Sequence, residues 1–439
     1  MSLLDPSIED LPESIMADIL SRLPVKKIIQ SKCVCKQFQN IVLDSSFAHL
    51  HFSRSPTGFM ILHFGGFSSE ILPGILTLVE VDDQLHHHRF LHDPVMNLDL
   101  NLSPNFQNFH CFQVGSVNGL ICLAQFGLEI DDMYICNPST REYIILPAQN
   151  SLDEDYENIV CCFGIGSLTH EYKVIRIFEI DEISEAKIYT LGTGQWRRLG
   201  HVPYSINESY APFLNGHAHW ITYYPQKICV FNFDNETFEL FPSPPSIKES
   251  QIHLRRLGVL KGCLCVSDTY ECKLVVWVMK EYGVKKSWYK ELVIEYSVGS
   301  NFDLFFQQPK YPIEVFRDGE VLMTTFEAKL IVYCPTRNEI VDREIWDGYF
   351  KGLAYRPSFY RLHSFANERH FTFHLVIHIV FTYIGIIFIS STNYKCMGDH
   401  DILNDTRCVT REFNEENPGS LIGSQPFRVI RDPPRAAER

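Results

Sequence analysis

Positive charge is scarce and scattered: no basic run is longer than pairs such as Arg255-Arg256 and Lys285-Lys286. With 39 Lys and Arg against 53 Asp and Glu, the formal net charge is −14. Nucleic acid is held by a basic face that displaces counterions, so it is excluded as an expected partner. A secretory leader is also missing from the first ten residues. Met1 to Asp10 holds three acidic side chains, no basic one and no apolar stretch. The fourteen cysteines are therefore expected as reduced thiols, in a cytoplasmic or nuclear protein. Cys263 and Cys265 suit one face of a strand, where small apolar side chains pack.

Motifs for bond chemistry are absent too. There is no Gly-rich loop ending in Lys-Ser/Thr, no His-Glu-x-x-His and no Gly-x-Ser-x-Gly. Gly164-Ile165-Gly166 lacks a third glycine and reads as a turn. Where cysteines cluster they stand adjacent or one apart, never as two Cys-x-x-Cys knuckles, which argues against structural zinc. His86, His87 and His88 are consecutive, so their side chains diverge on strand or helix and suit a solvated loop. His217 and His219 beside Trp220 read as packing residues. No catalytic residue, metal or cofactor is expected.

What is present begins with helical periodicity. Leu11, Ile15, Ile19 and Leu23 recur at a spacing of four, with Met16 and Leu20 beside them. Pro12 suits a helix start, and Glu9, Asp10 and Glu13 suit the positive end of its dipole. Pro24 opens a second run through Val25, Ile28, Cys35, Phe38 and Val42. Ser45 or Ser46 is the expected cap of a short third helix holding Phe47 and Leu50. About forty residues cannot complete a core alone, so this unit calls for a covering partner.

Four segments of this unit resemble the F-box: Asp10-Leu11-Pro12-Glu13, Ile19 to Val25, Cys33-Val34-Cys35-Lys36 and Ser46-Phe47. In that family the motif binds the Skp1 subunit of a cullin-RING ubiquitin ligase. The resemblance implies that a Skp1-like protein, and through it cullin, meets Leu11, Pro12, Ile15, Ile19, Leu23, Pro24, Val25, Ile28, Val34 and Cys35. Phe38 stands where the family usually has Trp, which keeps the ring and loses the indole donor.

From about 55 to 345 the pattern alternates. Runs such as Leu120–Ala124, Tyr172–Phe178, Lys227–Phe233, Leu274–Met279 and Leu330–Tyr333 are bounded by Gly, Asn, Asp and Pro, as strands are. Glycines at 119, 164, 216, 262 and 319 mark turns about 45–57 residues apart, close to the length of a propeller blade. A polar turn follows in several units, as in Asn137-Pro138-Ser139-Thr140-Arg141 and Asp234-Asn235-Glu236-Thr237. These units resemble the plant F-box-associated domain, a kelch-like relative, most closely at Trp277 to Val284 and Ala354 to Ser358.

The expected fold is α+β multidomain: a small three-helix F-box followed by an all-β propeller-like repeat domain of five or six blades. The expected boundaries are 8–52 for the F-box, 53–99 for a connecting segment with the first strands, 100–365 for the repeat domain and 366–439 for an atypical tail. Phe371 to Ile389 carries no formal charge and is just long enough for a bilayer span; a buried strand or helix, or a stretch not selected for structure, are its other readings. Asp153, Glu154, Asp155 and Glu157 form an acidic loop suited to a basic client.

The resemblance implies the substrate-recognition subunit of a Skp1–cullin–F-box ligase, a non-enzyme that presents a target for ubiquitination and degradation. A pollen self-incompatibility factor that marks basic ribonucleases is an alternative within the same family. An enzyme built on a propeller is the remaining one.

Overall fold

Each of the first two helices follows a proline, as the Leu-Pro steps predict. In the computed structural model, α1 (Glu13–Leu20) starts after Pro12 and α2 (Val25–Ser31) after Pro24. The described residues are 11–64, 75–82, 89–99, 111–127, 130–148, 159–180, 183–206, 211–222, 226–245, 254–270, 273–295, 310–316, 318–325, 330–337, 339–341, 349–365, 367–372, 376–381 and 387–392.

The expected second helix divides in two. It stops after Ser31, and α3 (Lys36–Leu43) begins beyond Cys35, whose backbone is extended and whose Sγ accepts a weak bond from Phe38 N at 3.5 Å. A cap formed in mid-run thus ends one helix and opens the next. The last helix, α4 (Ser45–Arg54), is capped by Asp44 rather than by Ser45 or Ser46; its carboxylate accepts from Ser46 N at 2.7 Å. A charged acceptor suits the positive helix end better than a hydroxyl.

Strands follow in chain order. Blade 1 holds β1 (Gly58–Phe64), β2 (Ile75–Asp82) and β3 (Arg89–Asp99). Blade 2 holds β4 (Cys111–Val117), β5 (Leu120–Gly127), β6 (Ile130–Asn137) and β7 (Glu142–Ile145). Blade 3 holds β8 (Ile159–Ile165), β9 (Tyr172–Ile180), β10 (Ile183–Thr190) and β11 (Trp196–His201). Blade 4 holds β12 (Phe213–Leu214), β13 (His217–Ile221), β14 (Ile228–Asn232) and β15 (Thr237–Phe241). Blade 5 holds β16 (Leu254–Leu260), β17 (Cys263–Tyr270), β18 (Lys273–Met279) and β19 (Trp288–Glu295). Blade 6 holds β20 (Lys310–Val315), β21 (Val321–Thr325), β22 (Leu330–Cys334) and β23 (Glu339–Val341).

The next strand, β24 (Tyr349–Tyr355), returns to pair with β1 from Gly58↔Tyr355 to Phe64↔Tyr349. Blade 1 is therefore completed by the two ends of the domain, in the order β24-β1-β2-β3. This pairing covers the edge of β1 and ties the last strand of the domain to the first. Strands of successive blades touch: β4 meets β24 and β8, β13 meets β8 and β16, and β16 meets β20.

Two glycine assignments separate here. Asn118-Gly119 and Asn215-Gly216 take positive φ at both residues, the hairpin geometry in which their strands stay twisted together. Gly164 instead lies within β8; a Cβ there would fall 2.3 Å from the Phe233 ring of blade 4. Its small size serves inter-blade packing, and the turn of blade 3 comes later, with His170 at φ 55°.

A short β25 (His370–Thr372) adds to blade 2 beside β7. Beyond it, β26 (Val376–Phe381) and β27 (Ile387–Thr392) pair antiparallel. The described parts of the apolar stretch 371–389 thus take strand form, and no helix among the described residues is long and apolar enough to cross a membrane.

Candidate functional site

The helices present two apolar faces, and only one is covered. Met16, Leu20, Val25, Ile28, Ile41, Val42, Phe47 and Ala48 share a single buried cluster with Met60, Leu62, Ile121, Leu123, Tyr134, Tyr355 and Phe359 of the propeller. The covering partner of this face is the chain's own β domain.

The other face stays open. Ile15 and Ile19, one turn apart on α1, are 46% and 43% exposed, Leu23 is 36% and Val34 is 71%. Pro12 and Pro24 are exposed beside them. Exposed apolar side chains gathered on one small unit mark an interaction surface.

The ten expected contact residues therefore divide. Pro12, Ile15, Ile19, Leu23, Pro24 and Val34 are exposed, while Leu11 and Cys35 are half-buried. Val25 and Ile28 are 2% and 0% exposed; they belong to the internal core and have no surface to offer. Periodicity puts residues on one stripe without saying which stripe the rest of the chain covers. Leu43, 37% exposed at the end of α3, was not anticipated. Its signal was its position next to buried Val42, about a hundred degrees round the helix.

Ion pairs link α1 to α4. Asp18 on α1 meets Arg22 Nε at 3.0 Å and Arg54 of α4 at 2.6 Å. Hydrogen bonds from Arg22 and then Arg54 hold its carboxyl below the ordinary range. Arg54 also donates to Ser21 Oγ at 2.6 Å, tying α4 to the end of α1.

A strap, residues 356–365 and 367–372, mounts the helices on the propeller. Phe359 packs against Phe47 and His51 at ring distances of 5.9 and 4.9 Å. The strap is held in turn by blade 2: Asn137 Nδ2 donates to Tyr360 O at 2.7 Å, and Glu142 accepts from Leu362 N at 2.7 Å and Arg361 Nε at 2.8 Å. Blade 3 contributes Tyr189 Oη and Gly192 N, which both donate to Glu368.

The acidic candidates Asp153, Glu154, Asp155 and Glu157 lie outside the described residues, in the chain between β7 and β8. His86 to His88 lie outside them too. His219 is fully buried; Nδ1 donates to Pro212 O at 3.1 Å and Nε2 accepts from Tyr282 Oη at 2.9 Å. Burial lowers its pKa to about 3, so it packs as a neutral ring. Among the described residues no group of three or more His, Cys, Asp or Glu is arranged to hold a metal.

Comparison with known proteins finds the same two parts of the chain. The F-box domain pattern matches residues 8–50, and the F-box associated beta propeller domain pattern matches 77–367. The F-box protein At3g07870 of Arabidopsis thaliana is 33% identical over 333 residues, covering 67% of this chain and 73% of the relative. The F-box protein CPR1 of the same plant is 28% identical over 320 residues, covering 65% of this chain and 73% of its own. The F-box/kelch-repeat protein At3g23880, also of Arabidopsis thaliana, is 25% identical over 352 residues, covering 74% and 88%. With its helices in front of a strap-mounted propeller, the chain belongs to the F-box proteins that carry an F-box-associated β-propeller domain.

Proposed function

We propose that this protein is the substrate receptor of a Skp1–cullin–F-box ubiquitin ligase. The observation that carries the reading is the open ridge of Pro12, Ile15, Ile19, Leu23 and Val34, on helices whose opposite face is fused to the propeller core. A Skp1-like protein covers the ridge, and the propeller holds the client. The chain performs no bond chemistry in this scheme. It raises the effective concentration of client lysines at the ubiquitin-loaded enzyme, which a rigid mount favours over a loose tether.

The test is capture of a purified Skp1-like protein by the full chain and by Ile15→Glu/Leu23→Glu. Both positions are exposed, so the fold is retained while the ridge acquires charge. Loss of capture by the variant with an unchanged melting temperature supports the reading; equal capture by both proteins refutes it.

A further inference from the structure

In blade 5 the turn between the third and fourth strands is twice the usual length. Blades 2 and 4 cross from third to fourth strand in four residues, 138–141 and 233–236, whereas β18 and β19 are joined by the eight residues 280–287. These turns lie at the end of the blades where Asn137 grips the strap, so residues 280–287 project on the F-box side of the propeller.

The long turn is internally braced. Ser287 Oγ lies 2.8 Å from Val284 O and 2.9 Å from Glu281 O, and accepts from Glu281 N at 3.1 Å. Val284 N donates to Glu281 O at 3.0 Å, and Gly283 supplies the positive φ of 80° that the bend requires. Tyr282 pins the turn to blade 4 through its hydroxyl on His219 and its ring 4.9 Å from Phe241.

What this brace displays is basic. Residues 280–290 hold four lysines and one glutamate, a net of +3 in a chain of −14. Lys280 lies over the Tyr289 ring at 4.5 Å and Lys290 over Trp277 at 5.2 Å. Two of the nearby acids are occupied, Glu291 by Lys261 at 3.0 Å and Glu295 by Lys273 at 2.8 Å, and Glu281 at the base of the turn is the single acid against four lysines. Lys285 and Lys286 are exposed at the tip beside Val284, itself 43% exposed, and have no acidic partner among the described residues.

We propose that the blade-5 turn, with Lys285, Lys286 and Val284 at its tip, docks an acidic segment of the client protein. Charge complementarity selects the occupant: two cations with no ion pair among the described residues, on an ordered frame of net positive charge, favour carboxylates and repel basic chains. The frame matters because a pre-ordered turn loses little conformational freedom when it binds. Assigning the segment to a client rests on the receptor function proposed above; the preference for acidic sequence does not.

The experiment is fluorescence anisotropy of the full chain with a labelled peptide of about twelve residues rich in Asp and Glu around one Leu. A control peptide carries Asn and Gln in place of the acids. Expected is binding of the acidic peptide at least roughly fivefold tighter than the control, weakening as salt rises, with the difference abolished in K285E/K286E. Both lysines are exposed, so the variant should melt like the parent. Equal affinity of parent and variant for the acidic peptide overturns the proposal. Skp1 capture by the same two proteins reports on the helical ridge alone, which keeps a failure of the receptor reading distinct from a failure of this site.

Discussion

Tyr360 Oη sits 2.6 Å from His49 Nδ1, joining the strap to α4 across 311 positions of chain. The rings meet edge to face at 4.9 Å, and Phe359 next to Tyr360 enters the shared core between Phe47 and His51. This pair of aromatics converts two domains into one body. Phe359→Ala is expected to cost about 3–5 kcal/mol by opening a cavity in that core. Limited proteolysis should then cut faster between α4 and β1, near Ser55–Thr57, and the melting temperature should fall. Unchanged cleavage there would show that the helices are mounted some other way.

Much of this plan was legible in the chain. The Leu-Pro steps set the starts of α1 and α2, and the Asn-Gly pairs at 118–119 and 215–216 set hairpin turns. These signals are local, because proline and positive φ constrain only their own neighbourhood. What stayed hidden depends on distant partners. Gly164 is small because Phe233 of the next blade needs the space, and Val25 and Ile28 are buried because blades 1 and 2 cover them. The closing β1–β24 pair has no local signature either. Its strands are ordinary until their ends meet.

The Asp234 carboxylate is one of the clasps between blades 3 and 4, beside the pairs that Glu236 makes with Lys173 and Arg197. Asp234 Oδ1 accepts from Leu168 N and Thr169 N and Oδ2 from Ser167 N, each at 3.0 Å. Partial burial works against the charge, but the N–H donors prevail and hold its pKa below the ordinary value. Asp234→Ala should cost roughly 1–2 kcal/mol, since three backbone donors of an ordered turn lose a charged acceptor to water. Asp234→Asn should recover only part of this, because its amide presents N–H groups to N–H groups. Urea midpoints of the two variants test the order; an Asn variant as stable as the parent would sink it.

Acid should loosen the protein before its carboxylates titrate. Burial holds His51 neutral with a pKa of about 4 and His219 with one of about 3. An unfolded histidine binds its proton near pH ~6.5, so between there and about pH 4 the unfolded chain takes up protons that the native state refuses. Stability therefore falls as pH drops through that window, by up to about 1.4 kcal/mol per pH unit for each histidine. The lowered carboxyls of Asp18, Asp234 and Glu236 lose their contribution only further down, as pH falls below their ordinary values. His51→Phe keeps an aromatic ring against Phe47 and Phe359 and should flatten the slope between pH 7 and 5. A slope as steep as the parent's would mean that His51 does not stay neutral in the fold.

Two glycines with nearly equal φ separate backbone strain from strap contact. Gly119 has φ 77° and Gly262 has φ 73°. A Cβ at Gly119 would stand 2.3 Å from Ser358 Oγ and 2.7 Å from Ser358 N, whereas at Gly262 it meets nothing within 4 Å. Left-handed strain should cost Gly262→Ala about 1–2 kcal/mol. Gly119→Ala adds displacement of the strap, roughly 1–3 kcal/mol more by analogy with overpacked cores. Equal melting temperatures for the two variants would show that the strap yields freely at Ser358.

The buried ion pair Arg255–Asp268 in blade 5 is expected to fix structure while adding little net stability. The two residues face each other across β16 and β17, with contacts of 2.7 and 2.9 Å and side chains 5% and 1% exposed. Arg255 Nη1 also reaches Gln226 O of blade 4 at 3.4 Å, so the pair helps fix one blade against the next. Removing either partner strands the other charge in the interior, and Arg255→Met or Asp268→Leu alone should cost about 3–5 kcal/mol. The double variant leaves no orphan charge and should recover most of that loss, because desolvation of both ions offsets their attraction. Urea melts of the three variants provide the measurement. A double variant no more stable than the weaker single one would mean that the pair contributes net stability, through attraction that exceeds the desolvation of both ions.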